Sequence, residues 1–377
     1  MKLRRIRAVA RKEFLHVLRD PRSLGMGIAI PMLLLILFGY ALSVDVDEVP
    51  LVVWDQSQTV ASRDLISRFD GSRYFELMGY VRNYRELVHQ IDTHRAVAAL
   101  VVPRRFAEEL DGGRLVGVQF IVDGSDSTTG TLALAYADQV AFGFTKDVVV
   151  RQMRRMRGQR IAIPLDVRAR VWYNADLESR NFIVPGLIAV IMMVIAALMT
   201  SLTISREWER GTMEQLISTP VKGPELIIGK LVPYFTVGMF DVLVAVLMAE
   251  FLFHVPLRGS IPLLFGVAAL FLVGVLSMGM LISIATKSQL LPSQLAMVLT
   301  FLPAFLLSGF VFTISNMPWA IQIVTLIVPA RYFVALLKGI YLKGVGLDVL
   351  GGEVALLAVF TLVMFALAIK KFKKKLA

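Results

Sequence analysis

The chain contains no cysteine. Disulfides, thiolate metal sites and cysteine nucleophiles are therefore excluded, although the absence does not fix the compartment. Histidine is scarce, at four. His89 and His94 are five residues apart, a spacing that does not put both on one helix face, so no metal pair is expected. No phosphate-binding loop is present: "GPELIIGKL" has the wrong glycine spacing and no Ser or Thr after Lys230. There is no nucleophile elbow and no paired-carboxylate pattern. The chain is expected to have no catalytic residues, no metal and no cofactor of its own.

What the chain has in excess is apolar residues. Of its 377 residues, 56% are hydrophobic and the mean hydropathy is +0.67, against about 45–50% apolar residues in ordinary soluble domains. The excess falls in blocks of roughly twenty, the length that crosses a bilayer core as a helix. Six such blocks predict membrane helices: Leu24–Ser43, Phe182–Ile204, Leu231–Phe253, Ile261–Ala285, Leu290–Ile314 and Val349–Ile369. A seventh stretch, Trp319–Leu337, holds Gln322, Pro329 and Arg331, and reads as a short re-entrant or interfacial helix pair within an outer segment 315–343.

The formal charge of +11 is distributed as topology requires rather than as nucleic-acid binding requires, and no nucleic-acid partner is expected. Eight Lys/Arg precede the first block, four lie between the second and third, Lys287 lies between the fourth and fifth, and five sit in the tail "KKFKKK". The two short loops on the other side hold only Arg258, Arg331, Lys338 and Lys343. Both termini are expected on the cytoplasmic side. Residues 1–23 carry Ile6, Val9, Ala10, Phe14, Val17 and Leu18 near helical spacing with basic residues opposite, an amphipathic helix on the membrane surface that ends before Pro21.

Residues 45–178 lack any membrane-length apolar run and are nearly neutral, with 17 Lys/Arg and 19 Asp/Glu. "PLVVWD", "AVAALVVP" and "VGVQFIVD" read as buried strands. Helical patterns lie at Ser57–Asp70, Tyr84–Thr93 and Thr131–Arg157, and "DVRARVWYN" reads as a final strand. The fold class expected is a membrane α-helical protein with six transmembrane helices and an inserted α/β extracytoplasmic domain. Its parts are 1–23, the first span 24–44, the outer domain 45–178 and the remaining spans within 179–377. "VDGSDSTTG" (Val122–Gly130) reads as a turn rather than a metal or catalytic site.

Two features invite function. Asp241 lies midway along the third block, where a carboxylate costs several kcal/mol unless paired, protonated or hydrated. It reads either as a substrate-pathway or proton-coupled group or as a structural hydrogen bond. "SREWERGTMEQLISTP" (205–220) is a polar segment between two spans. Arg206, Glu207, Glu209 and Arg210 crowd its start, and Met213, Leu216, Ile217 and Pro220 form an apolar stripe. Such a helix suits either a partner's groove or lipid headgroups.

"SREWERGTMEQLISTPVKGPELIIGKLVPY" resembles the E-x-x-x-G-T-x-x-x-L-x-x-T-P segment of ABC-2 type transporter permeases, matched by Glu207, Gly211, Thr212, Leu216, Thr219, Pro220 and Lys230. "RKEFLHVLRDPRSL" resembles that family's connecting helix. "LSGFVFTISNMPWAIQIVTLIVPARYFVALLKGIYLKG" resembles its outer re-entrant region, and "PLVVWDQSQT" the start of the outer domain in the subgroup of drug- and lipid-type exporters. The resemblance implies a bacterial inner-membrane permease that pairs with a second permease subunit, homo- or heterodimeric. It also implies an ATP-binding cassette subunit, where ATP and Mg would be held, and a periplasmic adaptor protein. Segment 205–220 would be the coupling helix. Glu207 would start the contact and Gly211 and Thr212 would shape it, with Met213 and Leu216 alongside; Arg206, Glu209 and Arg210 join them by charge and position alone. The substrate expected is amphipathic or hydrophobic, moved outward among membrane lipids. The alternatives are a proton-coupled exporter using Asp241 and a receptor scaffold that binds a ligand through residues 45–178.

Overall fold

The computed structural model describes residues 2–42, 48–114, 116–157, 172–174, 178–209, 211–286 and 290–372. It divides into two units, Met1–Ser43 with Arg170–Ala377, and Val44–Ala169.

In the first unit the N-terminal helix α1 (Leu3–Arg19) stops at Asp20, whose backbone is non-helical, and α2 (Pro21–Ala41) opens on Pro21. A proline there loses only an amide that a first helical turn leaves unbonded anyway. α1 does not rest on one apolar face alone. Val9, Glu13 and Val17, spaced four apart, are buried in the unit's own interior, whereas Phe14 and Leu18 stay exposed. Its inner stripe packs on the helix Gly223–Leu247 of the same unit.

In the second unit three parallel strands and one antiparallel strand form a sheet. The elements are β1 (Val49–Asp55), α3 (Val60–Asp70), β2 (Phe75–Tyr80), α4 (Tyr84–Asp92), β3 (Ala98–Val102), α5 (Phe106–Asp111), β4 (Gln119–Val122) and α6 (Ser127–Arg157). The strand order is β2-β1-β3-β4, and only β4 runs antiparallel, against β3. Every residue of β3 is buried, as its unbroken "AALVV" requires of a strand covered on both faces. Leu51, Phe69, Phe75 and Leu100 pack on one face, and Val52, Leu87 and Ala99 on the other. β2 is absent from the sequence reading. It is an edge strand whose residues alternate between half-buried or buried and exposed, with Gly79 inside it, so no apolar run announces it. The stretch after Val122 is a turn in which Asp123 accepts the Ser125 N–H at 2.9 Å. Of the expected final strand, only Trp172–Asn174 lies within the described residues.

The remaining helices belong to the first unit. They are α7 (Ser179–Ser201), α8 (Thr203–Glu209), α9 (Thr212–Ser218), α10 (Gly223–Leu247), α11 (Ile261–Ala285), α12 (Leu290–Leu307), α13 (Trp319–Thr325), α14 (Pro329–Lys338) and α15 (Leu347–Lys371). α10 runs on through a wider turn, Met248–Leu252. Among the described residues four stretches are long and apolar enough to cross a membrane: Ser179–Glu209, Gly223–Leu252, Ile261–Ala285 and Leu347–Lys371. The other two expected spans are helical, with shorter apolar parts, Gly27–Ala41 and Leu291–Leu307. The stretch from Trp319 is two helices meeting at 87°. Tyr332 donates its hydroxyl to the Leu326 carbonyl at 2.7 Å, and Arg331 donates to the Gln322 carbonyl at 3.2 Å, which closes that corner.

α7 is the central helix, packed against α2, α10, α11, α12 and α14. Its join to α11 is close and polar. Thr200 Oγ1 donates to the Leu276 carbonyl at 2.9 Å, and Ser283 Oγ accepts the Ile204 and Ser205 N–H groups at 3.0 Å each. Those two amides belong to the first turn of α8, where no helical acceptor exists. A Cβ at Gly279 would lie 2.4 Å from the Ala197 carbonyl oxygen and 2.2 Å from Thr200 Oγ1. Small residues at such a crossing let two apolar helices approach when lipid offers no hydrophobic contrast. Gly279→Ala is expected to lower stability by about 1–3 kcal/mol through overpacking, read as a lower Tm of the protein in nanodiscs. An unchanged Tm would show that α7 and α11 can part without loss.

Candidate functional site

The segment 205–220 is not one helix. α8 follows α7 after a single turn residue, Leu202, and ends at Glu209. Gly211 has φ 69°, a left-handed conformation that costs glycine nothing, and α9 starts from it. Thr212 Oγ1 donates to the Glu207 carbonyl at 3.3 Å across this corner. Two residues of the apolar stripe turn inward. Met213 is 1% exposed and sits in the unit's core, with Leu216 packed against it. Met213 and Leu216 are therefore covered by this chain, Pro220 stays exposed, and the Ile217 side chain lies outside the described residues. Among the described side chains of α9 and its approach, Glu209, Glu214, Gln215 and Ser218 face solvent. Arg210 lies outside the described residues.

Glu207 also turns inward, 8% exposed. It meets Lys230 of α10 and Glu13 and Lys12 of α1. Lys230 Nζ, on a residue 1% exposed, donates to Glu13 Oε1 at 2.8 Å and stands 3.0 Å from Glu207 Oε1. Lys12 Nζ donates to Glu207 Oε1 at 2.8 Å and stands 3.5 Å from Glu13 Oε1. Two ammonium groups and two carboxylates thus close a neutral cluster that joins α1, α8 and α10. A buried charge is tolerated only in such company. Glu207 Oε2 is buried and has no hydrogen-bond partner among the described residues. It belongs to the lining of a cavity of about 210 Å³, with His16, Thr203, Arg206, Thr212 and Tyr234. Arg206 stands 3.8 Å from Asp20, at the junction of α1 and α2. A second cavity, about 360 Å³, shares Arg206 and Tyr234 with the first and has apolar walls of Ile30, Ile195, Leu198 and Met199.

Asp241 stands apart. It lies eleven residues beyond Lys230 on α10, about 16 Å along the helix axis. It is 3% exposed, and its Oδ1 has no hydrogen-bond partner among the described residues. Pro31, Met32, Ile188 and Met192 line a void of about 10 Å³ beside it, about the space of one water.

The structure therefore brings Glu207, Arg206 and Thr212 to one cavity, keeps Glu209 at the surface, buries Met213, and leaves Asp241 elsewhere. Sequence reasoning missed Glu13 and Lys12 and took Lys230 only as a motif match. A signal existed: Glu13 is the one acidic residue in α1 and falls on the Val9–Val17 stripe.

Burial by itself raises the Glu13 carboxyl, but the Lys230 ammonium, followed by Lys12, outweighs it and holds the group below its ordinary 4.5. A depressed native value makes the contribution of this carboxylate complete above pH 4.5 and lost as the pH falls below that through the native value. Glu13→Gln is expected to flatten the decline of Tm in that acid window. Lys230→Met leaves two carboxylates to share the half-exposed Lys12 and is expected to cost about 3–5 kcal/mol, with recovery when Glu13→Gln and Glu207→Gln are added. Thermal unfolding in nanodiscs reads both effects, and a single variant as stable as the triple would contradict the cluster's role.

A family model described as "ABC-2 family transporter protein" matches residues 21–370. The chain is 38% identical over 344 residues to the probable multidrug ABC transporter permease YbhS of Escherichia coli (strain K12), covering 90% of this chain and 89% of that protein. It is 29% identical over 374 residues to the probable multidrug ABC transporter permease YbhR of the same strain, covering 98% and 99%. Similarity extends to ABC transporter G family member 20 of Dictyostelium discoideum, 22% identical over 369 residues, which are 96% of this chain and 49% of that protein. The family model spans the apolar helices, the sheet unit, Glu207 and Lys230, and the chain belongs to the ABC-2 family of transporter proteins.

Proposed function

We infer that the chain is the permease subunit of an ATP-driven exporter in a bacterial inner membrane, working as a pair of permeases with a separate ATP-binding cassette subunit that holds ATP and Mg. In this reading α2, α7, α10, α11, α12 and α15 cross the bilayer, both termini are cytoplasmic, and residues 44–169 lie outside. The observation that carries the coupling is the ion cluster. Force applied at the polar face of α9 passes through the Gly211 corner to α8. From there it reaches α7 directly and reaches α10 and α1 through Lys230 and Glu13. Glu207 then acts as a link inside the permease, with Glu209 and the outward side chains of α9 left to meet the partner. An apolar cavity adjoining a charged one supports an amphipathic substrate, as do the names of relatives described as probable multidrug permeases. A periplasmic adaptor protein is the partner that suits an outer domain.

The second reading, proton-coupled export, rests on the unpartnered Oδ1 of Asp241. Asp241→Asn separates the two. ATP-driven efflux is expected to survive it. Efflux that continues without ATP, stops when the proton gradient collapses and is lost in Asp241→Asn would favour proton coupling.

Gly211→Pro cannot adopt the left-handed corner. In proteoliposomes containing the partner subunit it is expected to reduce ATP-dependent efflux at least about tenfold, equivalent to about 1.4 kcal/mol of lost coupling, with insertion unchanged by size-exclusion profile. Glu207→Ala is expected to behave likewise. Wild-type efflux in both variants would remove segment 205–220 from the coupling path.

A further inference from the structure

The sheet unit carries a second concave site, unrelated to the ion cluster. Strand β1 lies between β2 and β3, so the chain leaves β1 to one side and returns on the other. Above the carboxyl ends of such strands the diverging connections leave a crevice, where open α/β sheets bind ligands. Here that crevice is an open cavity of about 560 Å³. Each strand-to-helix passage sets one arginine in its lining: Arg63 from the start of α3, Arg82 between β2 and α4, and Arg104 between β3 and α5.

The one carboxylate in the lining, Asp55, is already engaged. It accepts the Ser57 and Gln58 N–H groups at 3.0 Å each and the Ser62 hydroxyl at 2.8 Å. Glu86 is close by, but it accepts the Arg82 backbone N–H at 2.8 Å. Neither the Arg82 nor the Arg104 guanidinium has an acceptor among the described residues, and Arg63 has only a long contact of 3.4 Å to the Gln58 carbonyl. α3 presents its positive end here with no acidic residue in its first turn. Trp54 and Tyr80 add flat apolar surface to the same cavity.

Three guanidinium forks without carboxylate partners, beside a helix N-terminus, match the charge and geometry of a phosphate group better than a single carboxylate. We propose that the crevice formed by Arg63, Arg82 and Arg104 binds a phosphate ester. Its phosphate takes the forks and the adjoining part of the ligand lies on Trp54 and Tyr80. The ester is either a soluble molecule or a lipid headgroup, and the chemistry of recognition is the same for both. The assignment is independent of the export reading.

The test is calorimetric titration of the full chain in nanodiscs of zwitterionic lipid, with inorganic pyrophosphate and, separately, dihexanoyl phosphatidic acid. Binding is expected, weakened at least about tenfold by Arg82→Gln or Arg104→Gln. Arg114→Gln, an exposed arginine in the loop after α5, should leave it unchanged. All three positions are exposed, so unfolding is not expected, and Tm confirms it. Equal affinity for both probes supports a soluble ester, and preference for phosphatidic acid supports a headgroup. Failure of both probes to bind, or affinity indifferent to Arg82 and Arg104, overturns the site.

Discussion

Everything at one end of the helical unit depends on the solvation of the Lys230 ammonium. An ammonium nearly sealed from water is sustained only by charges fixed around it. Here those charges come from two different elements, Glu13 on α1 and Glu207 on α8. None of the three helices can move alone without uncovering a charge. The requirement makes α1 an integral part of the bundle, fixes the direction in which Glu207 points, and places Gly211 immediately beyond the rigid part. The corner is thus the first place where backbone geometry can change without disturbing the cluster.

Deeper in the helical unit the binding forces change in kind. Apolar side chains between α7 and its neighbours have little to gain by leaving lipid for protein. Specificity there comes from close approach at Gly279 and from hydroxyls that donate to carbonyls of other helices, such as Thr200 to Leu276 and Thr361 to Leu270. The sheet unit follows the opposite rule. Its core is held by ordinary burial of Leu51, Phe69, Phe75 and Leu100, and its polar groups concentrate where the strands end.

Sequence made the apolar helices legible because their length and lack of charge are direct demands of a bilayer. The buried strands were legible because a strand covered on both faces has no polar alternation. β2 was not, since an edge strand with Glu76 and Gly79 looks like a connection. Periodicity revealed the stripe of Met213 and Leu216 but carries no information on what covers it, and the covering surface is the chain's own core. Glu207 was legible by motif, yet its burial was not. Charges in a polar connection ordinarily face water, and its partners are 195 residues away at Lys12 and on a helix that follows a left-handed corner.

The separation of Glu13 from Lys230, 217 residues along the chain, has a consequence for biosynthesis. α1 leaves the ribosome long before α10 exists, so Glu13 has no counter-charge while the first helices are being laid down. In that interval the exposed Phe14 and Leu18, with the basic residues around them, suit α1 to wait on anionic lipid. Only when α10 arrives can α1 exchange the lipid surface for the protein, burying Val9, Glu13 and Val17 together. Closure of the ion cluster would then mark the completion of the bundle, and a permease truncated before Lys230 would keep its N-terminal helix loose.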